Sequence, residues 1–259
     1  MEESAFPRRV SALKEKLRAL SCDTIWVIQP ENRRYLSGFR AEDSQINESS
    51  GSLLITQSHC LLVTDSRYAT EAEAEAVHFQ VHILKEGFVA GFCEAIGSIG
   101  TRRLGFEESF VTCALHRELL ERINQMGLSV DLVPLEGIVE DMREAKDEGE
   151  IEIIEASADL ISGVLDELIP WLKPGIKEKD VAWQIECLAR EAGAEGMAFP
   201  PIVASGPNSA LPHAVPTERE IQLGEPVILD VGVKLDGYCS DMTRTVFLGE
   251  PEDGFKKIY

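Results

Sequence analysis

Apolar residues in the first half of the chain alternate between the spacing of a helix and that of a buried strand. Val10, Leu13 and Leu17 recur at intervals of three and four residues, which predicts an amphipathic helix. Continuous apolar runs predict buried strands, the second and third of which form a hairpin. These strands are predicted at residues 24–28, 53–56 and 60–64. Similar units follow up to about residue 133, and together they predict a mixed α/β domain.

Residues 71–76 give two conflicting signals. Glutamate and alanine alternate there with the period of a strand. Both residue types, however, prefer helices to strands. We therefore predict a helix with a solvated face, and Asp65-Ser66-Arg67-Tyr68 is its predicted start.

A charged stretch marks the entry to a second domain. Residues from Arg143 to Asp159 predict a helix that reaches about Ile169, and Pro174-Gly175 separates it from a second helix over residues 176–192, closed by Gly193. We place the domains at residues 1–138 and 139–259.

A β-hairpin is predicted near the end of the chain. Residues 227–233 are apolar and β-branched, residues 238–247 are rich in Thr, Val and aromatic side chains, and Asp-Gly at 236 and 237 is a strong turn signal. With those two residues as the loop, Asp230 lies opposite Thr243 and Asp241 lies opposite Gly232. Opposed side chains share a face, so Asp230 and Asp241 become diagonal neighbours.

Two ionised carboxylates side by side repel one another unless a proton or a cation compensates them. A metal ion would do so: oxygen ligands favour Mn²⁺, Mg²⁺ or Ca²⁺, and an added imidazole would admit Zn²⁺, Co²⁺ or Fe²⁺. The alternative is that one aspartate caps a turn while the other faces solvent.

The wider motif indicates a family. The segment FPPIVASGPNSALPHAVPT, from Phe199 to Thr217, precedes the hairpin, and the two together resemble the Xaa-Pro aminopeptidase and prolidase family. The resemblance is detailed from Arg143 onward and looser over residues 7–135. It implies an α/β protein in which a creatinase-like N-terminal domain precedes the first half of a pita-bread catalytic domain.

The resemblance also implies roles for individual residues. Asp230 would bind one divalent metal ion and Asp241 would bridge two, with Mn²⁺ preferred and Co²⁺ or Zn²⁺ as alternatives. His213 would contact the substrate and help to move protons without binding metal; by itself it could equally be a hydrogen-bonded loop histidine. Arg244 would have a supporting role. The substrate would be a peptide with proline at its second position.

The expected activity is metal-dependent hydrolysis of the bond between an N-terminal residue and proline through a metal-activated water. The family's remaining histidine and two glutamate ligands lie downstream of the hairpin, and we assign none of Glu250, Glu252 and Asp253 to that role. Residues 253–259 begin an amphipathic helix, with Phe255, Ile258 and Tyr259 on one face. We therefore expect an N-terminal portion of a longer enzyme, inactive alone.

Two other functions fit parts of the pattern. Creatinase-type relatives hydrolyse amidino groups without metal, but they lack the carboxylates that Asp230 and Asp241 supply. A non-catalytic peptide- or protein-binding module of the same fold is the alternative from a different class.

Composition narrows the picture further. The 259 residues, 44% of them hydrophobic, suit two domains with real cores. A net charge of −20 argues against nucleic acid and anionic membranes as partners. The six cysteines form no Cys-x-x-Cys pair and are expected to be structural. Without a long apolar run or a signal-peptide pattern, we predict a cytoplasmic protein. A homodimer is one option for its assembly, because the family's N-terminal domain often forms dimer contacts.

Overall fold

The chain divides into two compact units, Met1–Ala145 and Lys146–Tyr259. This division falls later along the chain than the boundary predicted between residues 138 and 139. The computed structural model describes residues 5–43, 49–251 and 253–258. The interpretations of Glu252 and Tyr259 given above concern residues outside this described part.

The first unit is a mixed α/β layer structure. In chain order its elements are α1 (Ala5–Ala19), β1 (Thr24–Val27), α2 (Pro30–Ser37), β2 (Ser52–Ile55), β3 (Cys60–Thr64), a 3₁₀ helix (Ser66–Tyr68), α3 (Ala69–Glu75), β4 (Gln80–Ile83), α4 (Phe88–Ser98), β5 (Arg103–Glu107), α5 (Cys113–Gln125), β6 (Asp131–Leu135) and α6 (Glu140–Glu144). Within the described residues the strands form one sheet in the order β4-β3-β2-β1-β5-β6. Strand β2 is antiparallel to β1 and β3, and the other neighbours are parallel.

Both faces of this sheet are covered by helices, which explains why strands β1, β2 and β3 are mostly apolar along their whole length. Successive side chains of a strand point to opposite faces. Ile25 and Val27 therefore pack in a cluster with residues of α1, α2 and α3, whereas Trp26 packs with residues of α4 and α5. The predicted helix at Val10, Leu13 and Leu17 and the three predicted strands are confirmed.

Helix propensity prevails over the alternating pattern at residues 71–76. These residues fall mostly in α3, as predicted. Ala72 and Ala76, four positions apart, are buried, while Glu71 and Glu73 are exposed. The helix thus turns its alanine face inward and leaves its acidic face in solvent.

The second unit places two helices against two short sheets. In chain order its elements are α7 (Glu148–Trp171), α8 (Glu178–Glu191), β7 (Gly196–Met197), β8 (Ile202–Ser205), a 3₁₀ helix (Gly206–Ala210), β9 (Pro226–Val231), β10 (Val233–Leu235), β11 (Tyr238–Cys239), β12 (Met242–Phe247) and α9 (Asp253–Ile258). The described strands form sheets β11-β10-β7 and β12-β9-β8, with antiparallel neighbours throughout. Apolar residues of α7, α8, β8, β9 and β10 share one core. Among the described segments, no helix has the length and apolar character needed to span a bilayer.

A capping box fixes the start of α7 and reaches the hairpin. The Asp147 carboxylate accepts a hydrogen bond from the Glu150 amide at 3.1 Å, and the Glu150 carboxylate accepts one from the Asp147 amide at 3.0 Å. The other oxygen of Glu150 accepts a 2.7 Å hydrogen bond from the Tyr238 hydroxyl. Since Glu150 is 4% exposed, one buried carboxylate ties the N-terminus of α7 to β11.

Glu150→Ala is expected to lower the free energy of unfolding of the second unit by about 2 kcal/mol, because it removes half of a capping box and a charged hydrogen bond. The measurement is a urea titration followed by fluorescence in a Trp26→Phe background, where Trp171 and Trp183 report on this unit. The matched control is Glu148→Ala, an exposed residue in the same helical turn. Equal stabilities of the two variants would contradict the expectation.

Candidate active site

The predicted hairpin forms with the predicted register. Strands β9 and β12 are antiparallel, and Asp230 pairs with Thr243. At the far end, Leu235 pairs with Tyr238. The two residues between them, Asp236 and Gly237, have φ angles of 43° and 76°. Positive φ at both central residues is the requirement of a type I′ turn, whose twist matches that of the strands.

The hairpin divides at Gly232 instead of running as one ladder. The β9 and β12 half joins β8, whereas the β10 and β11 half joins β7. A Cβ at Gly232 would lie 2.1 Å from the Ser240 carbonyl oxygen, so only glycine permits this close crossing. Across the division, the Ser240 amide donates to the Val233 carbonyl at 2.9 Å, and the Ala198 amide donates to the Gly232 carbonyl at 2.8 Å. Asp241 lies at this division, directly before β12.

Asp230 lies on the outer face of the β12-β9-β8 sheet. Its strand neighbours Leu229 and Val231 are fully buried in the shared core, so alternation turns the half-buried Asp230 the opposite way. The Thr243 hydroxyl donates a 2.7 Å hydrogen bond to Asp230 Oδ1. Among the described residues, Thr243 is the one hydrogen-bond partner of this carboxylate, which leaves most of its lone pairs available.

Asp241 is exposed, and neither aspartate forms an ion pair with a lysine or arginine in the described part of the chain. Two oxygen donors of this kind fit part of the ligand set of a hard or borderline divalent ion. The described residues contain no group of three or more His, Cys, Asp or Glu side chains that could hold a metal ion. Asp230 and Asp241 are therefore a partial donor set.

His213 lies in a turn of the loop that joins the 3₁₀ helix (Gly206–Ala210) to β9, and its side chain is exposed. The 3₁₀ helix contacts both β9, which carries Asp230, and its neighbour β8, so the loop begins close to the strand of Asp230. Leu211 and Val215, two residues to either side, are 57% and 77% exposed. Ala214 is buried and holds the middle of the loop.

Sequence reasoning missed Glu178, the first residue of α8. Its side chain is completely buried, and its carboxylate accepts hydrogen bonds from Ser205, Asn208 and Thr217. In the sequence, Lys177-Glu178-Lys179-Asp180 reads as a solvated helix start. The available signal was the polar side chains of Ser205, Asn208 and Thr217 within the mostly apolar segment 199–217, since buried polar groups require partners.

The charge of Glu178 is stabilised by its donors. Burial by itself raises the pKa of the carboxyl, but hydrogen bonds from Thr217 and Ser205 outweigh burial and hold the pKa below its ordinary value. Arg219 extends the network: it donates to the Ser205 hydroxyl at 2.6 Å and forms a bidentate ion pair with Glu225. The hydrogen bonds from Arg219 lower the pKa of Glu225.

Comparison with known proteins identifies the family. The model of metallopeptidase family M24 matches residues 152–259, and the creatinase/prolidase N-terminal domain matches residues 9–145. An uncharacterised peptidase of Bacillus subtilis is 34% identical over 249 residues, which are 95% of this chain and 67% of that protein. The chain belongs to metallopeptidase family M24. An Xaa-Pro dipeptidase of Pyrococcus horikoshii is 31% identical over 97% of this M24 chain and 67% of its own length.

Solved structures of similar proteins confirm the predicted fold class. An Xaa-Pro dipeptidase from Bacillus anthracis superposes with a TM-score of 0.88 at 30% identity, covering 98% of the M24 chain and 68% of its own. An X-Pro aminopeptidase from Thermotoga maritima gives a TM-score of 0.82 at 31% identity, covering 94% of the M24 chain and 68% of its own. The resemblance inferred from the two motifs is thus confirmed, and the protein is a metallopeptidase-family hydrolase.

Gly232→Ala in the M24 chain is expected to lower the free energy of unfolding of the second unit by about 3 kcal/mol, because the added Cβ overlaps a backbone carbonyl that cannot move independently. Urea titration in the Trp26→Phe background measures the change. Gly163→Ala, at an exposed position of α7, is the matched control: its Cβ would meet no atom within 4 Å, and it should raise the stability by up to about 1 kcal/mol. A Gly232→Ala protein as stable as the parent would disprove the steric account of the division.

Proposed function

We propose that the chain carries the first part of the metal centre, and the proton-transferring histidine, of a peptidase that cleaves after an N-terminal residue preceding proline. The observation that carries the proposal is the pair Asp230 and Asp241, set eleven residues apart on one hairpin without a cationic side chain to pair with in the described structure. Family membership supports a metal ion as the compensating charge. The repulsion between the two carboxylates gives the physical reason.

Asp230 and Asp241 would hold the metal through carboxylate oxygens. Two divalent ions, when bound, lower the pKa of a shared water and polarise the scissile carbonyl. The Thr243 hydroxyl holds Asp230 Oδ1 and so fixes the direction in which the carboxylate presents its remaining lone pairs. We propose Mn²⁺ as the working ion, with Co²⁺ or Zn²⁺ as alternatives, because the two donors present are oxygens.

His213 would hold and deliver a proton. Its exposed imidazole is accessible to a bound peptide, and an imidazole ring can both donate and accept a proton. In this role it protonates the leaving nitrogen or hydrogen-bonds to the tetrahedral intermediate. The role needs the imidazole to be free of metal, which agrees with its place in a loop and not on the hairpin.

The substrate proposal draws on the relatives. The similar proteins include an Xaa-Pro dipeptidase and an X-Pro aminopeptidase at nearly the same identity. We propose a peptide with proline at its second position as substrate, and the length of the peptide beyond proline is a question for the assay. Residues 1–138 are proposed to act as the N-terminal domain, with a homodimer as the proposed assembly.

Asp230→Asn and Asp241→Asn are each expected to abolish Mn²⁺-dependent cleavage of Xaa-Pro peptides, because an amide cannot replace a charged ligand. The assay uses dipeptides and longer peptides with the 259-residue chain and with the uninterrupted reading frame that encodes it. The matched control is Asp236→Asn in the turn of the same hairpin, where asparagine tolerates positive φ and activity should persist.

Each outcome of this assay has a defined meaning. Cleavage that requires added metal and is lost in both aspartate variants supports the peptidase proposal. Peptide binding without cleavage, by either form of the protein, would favour a non-catalytic binding module. Cleavage that survives both substitutions would rule out the assigned ligands.

His213→Gln is expected to lower kcat for Xaa-Pro cleavage by about 10²- to 10⁴-fold, the range for loss of a general acid or base. Calorimetric titration with Mn²⁺ should give the same affinity as for the parent protein, because the imidazole is not a metal ligand in this proposal. A weakened Mn²⁺ affinity would instead place His213 among the ligands.

A further inference from the structure

The Glu178 carboxylate accepts hydrogen bonds from residues at both ends of the loop that carries His213. Oxygen Oε1 accepts from the Ser205 amide at 2.8 Å, the Ser205 hydroxyl at 2.7 Å and the Asn208 side chain at 3.1 Å. Oxygen Oε2 accepts from the Asn208 side chain at 3.0 Å, the Thr217 amide at 3.0 Å and the Thr217 hydroxyl at 2.6 Å. Ser205 precedes the loop and Thr217 follows it, so one buried group closes the segment between them.

The Glu178 carboxylate accepts more hydrogen bonds than a residue that only caps a helix would. An ionised carboxylate has about four lone-pair directions, and this one has three donor residues converging on both of its oxygens. Its burial would be unfavourable without them. The donors all belong to the strand end, the 3₁₀ helix and the loop exit, and none belongs to α8 itself. The group therefore acts on the loop and not on its own helix.

Other side-chain contacts of the loop are fewer, although the Arg219 guanidinium also joins its two ends by donating to the Ser205 hydroxyl at 2.6 Å. Leu211 and Val215 extend into solvent and Ala214 is the buried residue between them. Backbone bonds do attach the loop exit to α8, from the Lys179 amide to the Thr217 carbonyl at 3.1 Å and from the Glu178 amide to the Arg219 carbonyl at 3.0 Å. These bonds fix the exit alone, whereas the Glu178 side chain binds the entry, the 3₁₀ helix and the exit together.

We propose that Glu178 is a positioning residue that sets the conformation of the 206–216 loop and thereby the place of the His213 imidazole. The catalytic consequence rests on the role of His213 under the proposed function, whereas the effect on the loop does not. Replacing the carboxylate by an amide would turn an Nε2 donor toward donors of Asn208 or Thr217, leaving buried donors unpaired.

The test compares Glu178→Gln with Asp180→Asn, an exposed carboxylate two residues further along α8. Amide hydrogen exchange in the 259-residue chain should become at least about tenfold faster at Ser205 and Thr217 in Glu178→Gln, the factor for losing roughly one hydrogen bond's free energy. The Leu229 amide, in the centre of the sheet, should keep its rate. Asp180→Asn should leave all three rates unchanged.

The histidine spectrum gives a second readout that needs no activity. His213 is the only one of the five histidines in residues 146–259, so the imidazole signals of the other four serve as internal references. Glu178→Gln should shift the His213 signal and leave those of His59, His78, His82 and His116 in place. Unchanged exchange at Ser205 and Thr217 together with an unmoved His213 signal would overturn the proposal.

A milder variant covers the case in which Glu178→Gln does not fold. Asn208→Ala removes the central donor and leaves the bonds from Ser205 and Thr217, so it should move the His213 signal in a folded protein. If that signal stays in place, Glu178 does not control the loop through this network and the proposal fails.

Kinetics separate a positioning role from general stabilisation. In the enzyme that cleaves Xaa-Pro peptides, Glu178→Gln should lower kcat at least about tenfold with little change in KM. Adding Glu178→Gln to His213→Gln should cost little more, because both act through one imidazole. If the fold-loss of kcat in the double variant equals the product of the fold-losses in the two single variants, the proposal is contradicted. Absence of cleavage by the parent enzyme would refute the peptidase function, and exchange and spectra would still decide the role of Glu178.

Discussion

The register of one antiparallel pair, β9 with β12, determines the rest of the second unit. A type I′ turn at Asp236 and Gly237 sets the strands so that Asp230 lies opposite Thr243. A slip by one residue would move Asp230 into the apolar core and a buried valine or leucine into solvent. Because both errors are costly, the core packing of α7 and α8 and the outward placement of Asp230 enforce the same register.

Because it divides at Gly232, the hairpin contributes strands to two different sheets. Its outer half consists of β10, which pairs with β7, and β11, which is tied to α7 through Tyr238. Its inner half, β9 and β12, joins β8 and carries Asp230. The close crossing of Gly232 and Ser240 lets one continuous hairpin serve two sheets. Asp241 thus lies at the division, directly before β12.

The sequence predicted the elements whose causes are local. The Asp-Gly turn and the β-branched strands predicted the hairpin correctly. Helix propensity predicted residues 71–76 correctly, against their alternating pattern. The sequence did not predict the division at Gly232, because that division depends on how closely the backbone of the opposite strand approaches. Nor did it reveal Glu178, because its three partners lie 27 to 39 residues away and its neighbours Lys177 and Lys179 are those of a solvated helix start. Such features arise from tertiary contacts that no local pattern records.

Two kinds of carboxylate in the same unit differ in their hydrogen bonding, and this difference distinguishes Glu178 from the two aspartates proposed as metal ligands. Glu178 is buried and receives donors on both oxygens, so its charge is already compensated and it has no capacity left for an ion. Asp230 receives one hydroxyl, and Asp241 is exposed to solvent at the division of the hairpin. In a chain of net charge −20, two such groups on one hairpin, without a lysine or arginine paired to them in the described residues, raise the local negative potential. Under the proposed function, a divalent cation would relieve that potential most directly, since it would neutralise both groups without a buried basic side chain.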